Sequence, residues 1–223
     1  MSFYSNGTPV TYKQNGLYSN NFIYTIIGSN SSLVGDYGSP SDVQLNNPSF
    51  VTFDTCGNLF ILDAGSMIRF MPLVDGVYYG QTMTANYTYK IASGVSSAYS
   101  MAVDLSGNVF MCDYDNNRIK FMPKLNGQYY GQNMLANTVY TVVGTTGGYN
   151  GDGISATTAK ISDPRGVFVD SAGNIFIADT YNEIIRFVPK YSGNYYGQSM
   201  IANYIYTIAG IPNDYNYNGD NIL

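Results

Sequence analysis

Apolar residues come in short runs parted by polar, turn-forming residues. The clearest set lies between Gly166 and Gly210, where Val167–Val169, Ile175–Ala178, Ile184–Val188 and Tyr204–Ala209 are separated by breaks that carry Gly or Asn. Runs of this length, rich in Ile, Val, Phe and Tyr, predict β-strands. Four in succession predict one small, twisted, antiparallel sheet.

The same text recurs upstream, as VTFDTCGNLFILD from Val51 and MAVDLSGNVFMCD from Met101. Asp54, Asp104 and Asp170 are equivalent, as are Tyr89, Tyr140 and Tyr206; Asp54 to Asp104 spans 50 residues and Asp104 to Asp170 spans 66. The extra length is a polar connector: Asp36 to Pro48 and Asp152 to Pro164 each span 12 residues, and the second unit has no such segment. In residues 1–28, Gln14–Tyr18 resembles Leu125–Tyr129 and Tyr24–Gly28 matches Tyr206–Gly210, which reads as half a unit. The chain is therefore one array: a half blade at 1–28, blades at 48–94, 98–144 and 164–210, and the start of a further connector at 211–223. In the first blade, strands are predicted near 49–54, 58–63, 67–72 and 86–92. A unit of this length with four strands points to an all-β, β-propeller-type array of four-stranded antiparallel blades, about three and a half of them in an incomplete ring.

The run Asp170-Ser171-Ala172-Gly173-Asn174-Ile175-Phe176-Ile177-Ala178-Asp179-Thr180, continuing through Ile185-Arg186-Phe187 to Tyr206-Thr207-Ile208-Ala209-Gly210, resembles the NHL repeat. The connector from Tyr149 through Pro164 resembles those of NHL arrays too. NHL repeats usually close into six-bladed rings, and this chain supplies about half of one. The resemblance implies a structural role for the repeated Asp and Arg described below.

Composition narrows the chemistry. Charged residues make up 11% of the chain, against roughly 25% in typical soluble domains. Tyr, at 23 residues, takes their place with Asn and Ser, and a surface of that kind calls for a covering partner. The net charge of −5 and the lack of a basic run argue against nucleic acid as a partner. No stretch approaches the roughly 18 apolar residues of a membrane span. The first residues have neither a cationic start nor an apolar core, so no secretory signal is expected. A cytoplasmic protein is expected, or one exported or packaged, as in a virion, by another route. Heavy use of Asn, Tyr and Ile without Trp or His suggests an AT-rich genome.

Histidine is absent, which removes Ser/His and Cys/His nucleophile pairs and His-ligated metal sites. It also removes the metal site that the NHL resemblance would otherwise bring from the lyase branch of such propellers. Asp54, Asp104 and Asp170 each precede a Gly-Asn pair by three residues, the pattern of a carboxylate-capped turn. Asp63, Asp113 and Asp179 end second strands, with Arg69, Lys120 and Arg186 in the third; such pairs pin a hairpin at about 0–1 kcal/mol if exposed. The connectors carry Asp36, Asp152 and Asp220. Calcium is the one ion such loops invite, although one Asp per loop is few for an ion that takes six to eight oxygens. Cys56 and Cys112 occupy unlike positions and read as free thiols, buried as small apolar groups.

The pairs Tyr78-Tyr79, Tyr129-Tyr130 and Tyr195-Tyr196 stand in the hairpin between third and fourth strands, with one ring of each pair expected to pack and the other to face outward. They are the candidate interaction residues. The expected function is a non-enzymatic structural or protein-interaction module, self-associating into a closed ring or a filament through its two open flanks. At the last blade, Val167, Val169, Ile175 and Ile177 are expected to be bared. The rival reading is a ligand-binding or divalent-cation-dependent hydrolytic propeller using carboxylates in the central channel.

Overall fold

A computed structural model describes residues 42–214, together with 4–5, 8–9, 26–28 and 38–39. Strands β1 (Tyr4–Ser5) and β2 (Thr8–Pro9) pair as a short hairpin. Apart from residues 26–28, the rest of the expected half blade at 1–28 lies outside the described residues, as does the connector start at 215–223.

Three blades follow. The first contains β3 (Phe50–Phe53), β4 (Leu59–Asp63), β5 (Met67–Met71), a side hairpin of β6 (Gly76–Tyr78) and β7 (Gln81–Met83), and β8 (Tyr89–Ser93). The second contains β9 (Ala98–Val103), β10 (Val109–Asp113), β11 (Arg118–Met122), the hairpin β12 (Gly127–Tyr129) and β13 (Gln132–Met134), and β14 (Tyr140–Val143). The third contains β15 (Ile154–Ser155), β16 (Pro164–Val169), β17 (Ile175–Asp179), β18 (Ile184–Val188), the hairpin β19 (Gly193–Tyr195) and β20 (Gln198–Met200), and β21 (Tyr204–Ala209).

Each main sheet is antiparallel, in the orders β3-β4-β5-β8, β9-β10-β11-β14 and β16-β17-β18-β21-β15. The fold is thus all-β and propeller-like, and the described blades do not close a ring.

Two details depart from the sequence reading. The fourth strand starts at Tyr89, because Asn86 takes a left-handed φ of 62° and its N–H donates to the Pro72 carbonyl at 2.7 Å. A turn therefore occupies the residues just before it. The connector read as polar supplies a fifth strand: Ile154 pairs with Ile205 and Ser155 with Tyr204. Blade one shows the same device in reduced form, a single bridge between Gly38 and Thr88.

The core lies between blades. Phe60, Leu62, Ile68 and Phe70 of blade one meet Met101, Val109, Met111 and Met122 of blade two. Phe110, Cys112, Ile119 and Phe121 of blade two then meet Val167, Val169, Ile175, Ile177 and Val188 of blade three. Successive strand residues point to opposite faces, so each blade presents one row to the blade before it and another to the blade after it. Cys112 belongs to this core, and burial pushes its thiol well above the ordinary range. Cys56 corrects the expectation of two buried thiols, for it is exposed in a turn.

That turn repeats. Asp54 Oδ1 accepts from the Cys56 and Asn58 N–H groups at 2.9 Å each, and Oδ2 accepts from Asn58 Nδ2 at 2.8 Å. Asp104 and Asp170 make the same three bonds. The Asn Oδ1 then accepts from the backbone N–H of Leu73, Lys124 or Lys190, tying the first hairpin to the end of the third strand. Asp104→Ala leaves two backbone donors and one amide without their acceptor. It should cost about 2 kcal/mol and lower Tm by about 4–8 °C. Calorimetry giving an unchanged Tm would show that the turn forms without its carboxylate.

Candidate functional site

The tyrosine hairpins join the blades. Gly76, Gly127 and Gly193 leave room for the first tyrosine of each pair, whose ring lies within 2.9–3.1 Å of where a Cβ would stand. Those rings, Tyr78, Tyr129 and Tyr195, lie against Phe70, Phe121 and Phe187 of their own blade at centroid distances of 5.2, 5.2 and 5.3 Å. Their hydroxyls donate back to the carbonyls of Val74, Leu125 and Tyr191.

The second tyrosine of each pair takes a left-handed φ, 49° at Tyr79, 48° at Tyr130 and 51° at Tyr196. This turns its ring edge-on to the same phenylalanine, at 5.4, 5.4 and 5.5 Å. In the first two blades the ring also reaches the next one. Tyr79 Oη donates to the Gly107 carbonyl at 2.8 Å, and Tyr130 Oη donates to the Gly173 carbonyl at 3.0 Å. Those carbonyls belong to the Asp-capped turns. Tyr79 is buried while Tyr78, Tyr129 and Tyr130 are half-buried, so the second ring of these pairs packs between blades and the first is only partly turned outward. Strand alternation does not apply at a residue with positive φ.

Tyr196 is in the same pose, and no blade among the described residues follows it. It is 62% exposed where Tyr79 is 6% exposed, and its hydroxyl meets no acceptor among the described residues. Around it lies the outer face of blade three, with Phe168 62% and Ile185 38% exposed. The positions equivalent to Ile185 are the buried Ile68 and Ile119. Val167, Val169, Ile175 and Ile177, expected to be bared, are buried against blade two. Both faces of a blade are apolar, and the sequence does not mark which one looks forward.

The Asp–cation pairs are buried and fasten the incoming chain. Arg69 Nε meets Asp63 Oδ2 at 2.7 Å, while Asp63 Oδ1 accepts the Asn46 N–H at 2.6 Å. Asp179 Oδ1 likewise accepts the Ser162 N–H at 2.6 Å, and Oδ2 lies 3.6 Å from Arg186 Nη1. Arg186 Nη2 reaches the connector, at 2.8 Å from the Gly151 carbonyl and 3.0 Å from Asp152 Oδ1, with the Tyr149 ring 5.0 Å away. Burial pushes the Asp179 carboxyl above its usual range, opposed by the hydrogen bonds from Ser162 and Asn182 and by the nearby charge of Arg186. In blade two, Lys120 lies 3.9 Å from Asp113, and burial lowers its pKa against the pull of that carboxylate.

One cluster on the innermost strands went unnoticed in the sequence. The Arg165 guanidinium sits over Tyr99 and Tyr114 at 5.9 and 5.4 Å, and Tyr114 Oη donates to Asp163 at 3.3 Å. The equivalent positions hold Ser49, Tyr99 and Arg165, and their neighbours Phe50, Ser100 and Gly166 differ as well, so the repeat gave no signal there. Among the described residues no group of three or more His, Cys, Asp or Glu is placed to hold a metal ion, and no helix is long and apolar enough to cross a membrane.

These blades and hairpins define the chain as an all-β, propeller-like repeat array. No family model matches it, and no curated protein matches it. Solved structures similar to it include a structural genomics protein of unknown function from Bacteroides thetaiotaomicron, 12% identical, covering 86% of this chain and 64% of that one at a TM-score of 0.33. Another is an auxiliary nutrient binding protein from the same organism, 12% identical, covering 83% of this chain and 64% of that one at a TM-score of 0.29. The chain spans less than two thirds of either length.

The phenols of Tyr79 and Tyr130 are pushed far above the ordinary value of 10.0, first by burial and then by the nearby Asp carboxylates. The folded chain therefore keeps protons that the unfolded chain releases above pH 10, and stability falls as pH rises through that range. A Tyr79→Phe/Tyr130→Phe double variant should lose about 1–3 kcal/mol at neutral pH and show a shallower decline above pH 10. Urea unfolding across pH 8–11 measures both. Parallel curves for the variant and the parent would show that these phenols do not govern the alkaline limit.

Proposed function

We propose that this chain is a partial NHL-type propeller acting as a non-enzymatic structural or interaction module that assembles with itself. The observation carrying this reading is the outer face of blade three. Phe168, Ile185 and Tyr196 stand in water at a level that elsewhere in the array is covered by the following blade. Exposed apolar surface costs about 25 cal/mol per Å², and a contiguous apolar face of this kind marks an interaction site. The low proportion of charged residues, 11%, sets little repulsion against association.

Light scattering at micromolar concentration should give a particle heavier than a single chain. Phe168→Asp together with Ile185→Asp should reduce it to single-chain mass, with circular dichroism unchanged because both side chains are exposed. A single-chain mass for the unaltered protein would refute self-assembly.

A further inference from the structure

We infer that the assembly is head to tail and that its register is set by Tyr196 of one chain donating to the Gly57 carbonyl of a second chain. The inference rests on the self-assembly proposed above and specifies its interface. Among the described residues the same junction occurs twice: a left-handed tyrosine, held edge-on by a phenylalanine, reaches a glycine carbonyl in the Asp-capped turn of the next blade. Tyr196 is held identically on Phe187 and lacks the turn. Blade one has the turn, built on the same three Asp54 bonds, and no described residue donates to its Gly57 carbonyl.

The apolar row that receives a neighbouring blade is open only in part on blade one. Blades two and three receive their neighbours on Met101, Val109, Met111 and Met122, and on Val167, Ile175, Ile177 and Val188. Blade one offers Val51, Leu59, Ile61 and Met71 at the same positions. Leu59, Ile61 and Met71 are already buried within the chain, with Ile27 packed on them, so the open part of this flank is the innermost strand, where Val51 is 57% exposed, and the neighbouring turn residues Thr55 and Cys56, which are exposed. An unfilled donor and an unfilled acceptor of one junction, on opposite flanks of the same chain, define a heterologous interface. Such an interface closes into a ring or grows as a filament according to the rotation between chains. A second copy of this chain is therefore the occupant.

The test places the photo-crosslinking residue benzoylphenylalanine at position 196 of the full chain. Irradiation should give covalent dimers with the crosslink in residues 54–58 of the second chain, and Phe168→Asp should abolish them. Separately, Tyr196→Phe, which keeps the ring and removes the donor, should weaken association about three- to tenfold by light-scattering dilution. A multichain particle whose crosslinks fall elsewhere, on residues 1–28 for example, or that yields none, overturns the register and leaves self-assembly standing. A single-chain mass at every concentration overturns both.

Discussion

The array depends on a constraint that no single blade can satisfy. Each four-stranded sheet is apolar on both faces, so a blade is stable only between neighbours. In β4 and β10 every residue from Leu59 to Asp63 and from Val109 to Asp113 is buried, whichever way its side chain points. Such strands resemble those of sheets covered on both sides more than the one-sided strands of a free antiparallel sheet. Stability in a chain of this kind is a sum of nearest-neighbour interfaces, and the ends decide how the sum terminates.

Polar contacts set the geometry that these interfaces require. The Asp-capped turns hold the start of the second strand and, through the buried Asn58, Asn108 and Asn174, the exit from the third. They also present the carbonyls that the preceding tyrosines reach. One motif therefore fixes both the internal register of a blade and its distance from the blade before it. A carboxylate that accepts three bonds within five residues supplies that rigidity locally, without contacts that must wait for the neighbouring blade.

Much of this was legible in the sequence. Strand positions followed from run length, blade phase from the recurrence of Asp54, Asp104 and Asp170, and the turn chemistry from Asp three residues before Gly-Asn. What was not legible depends on direction. Phe168 and Val167 are neighbours in one apolar run, and alternation says only that they face opposite ways. Which of them looks forward follows from how the chain packs from blade to blade. The tyrosine junction was hidden for a related reason: the positive φ at Tyr79 and Tyr130 breaks alternation at a bulky residue that seldom adopts it. The fifth strand rests on two residues, Ile154 and Ser155, too few to show a period.

The variation at the third-strand cation follows from the connectors. Arg69 and Arg186 occur in the two blades entered by a long connector, and Lys120 in the blade entered by a short loop. In blade three the reason is visible. A fully buried guanidinium faces Asp179 on the sheet and both Gly151 and Asp152 on the connector, so it holds the added segment against the blade it precedes. Arg186 Nε and Nη1 nonetheless have no hydrogen-bond partner, and burying a charge with open donors costs several kcal/mol unless other contacts offset it. The Tyr149 ring beneath the guanidinium and the two flanking carboxylates oppose that cost. An ammonium could not serve in the same way, since a point charge with three donors neither stacks on a ring nor spans two acceptors in one plane. With only Asp113 and Thr141 to satisfy, blade two uses the simpler cation.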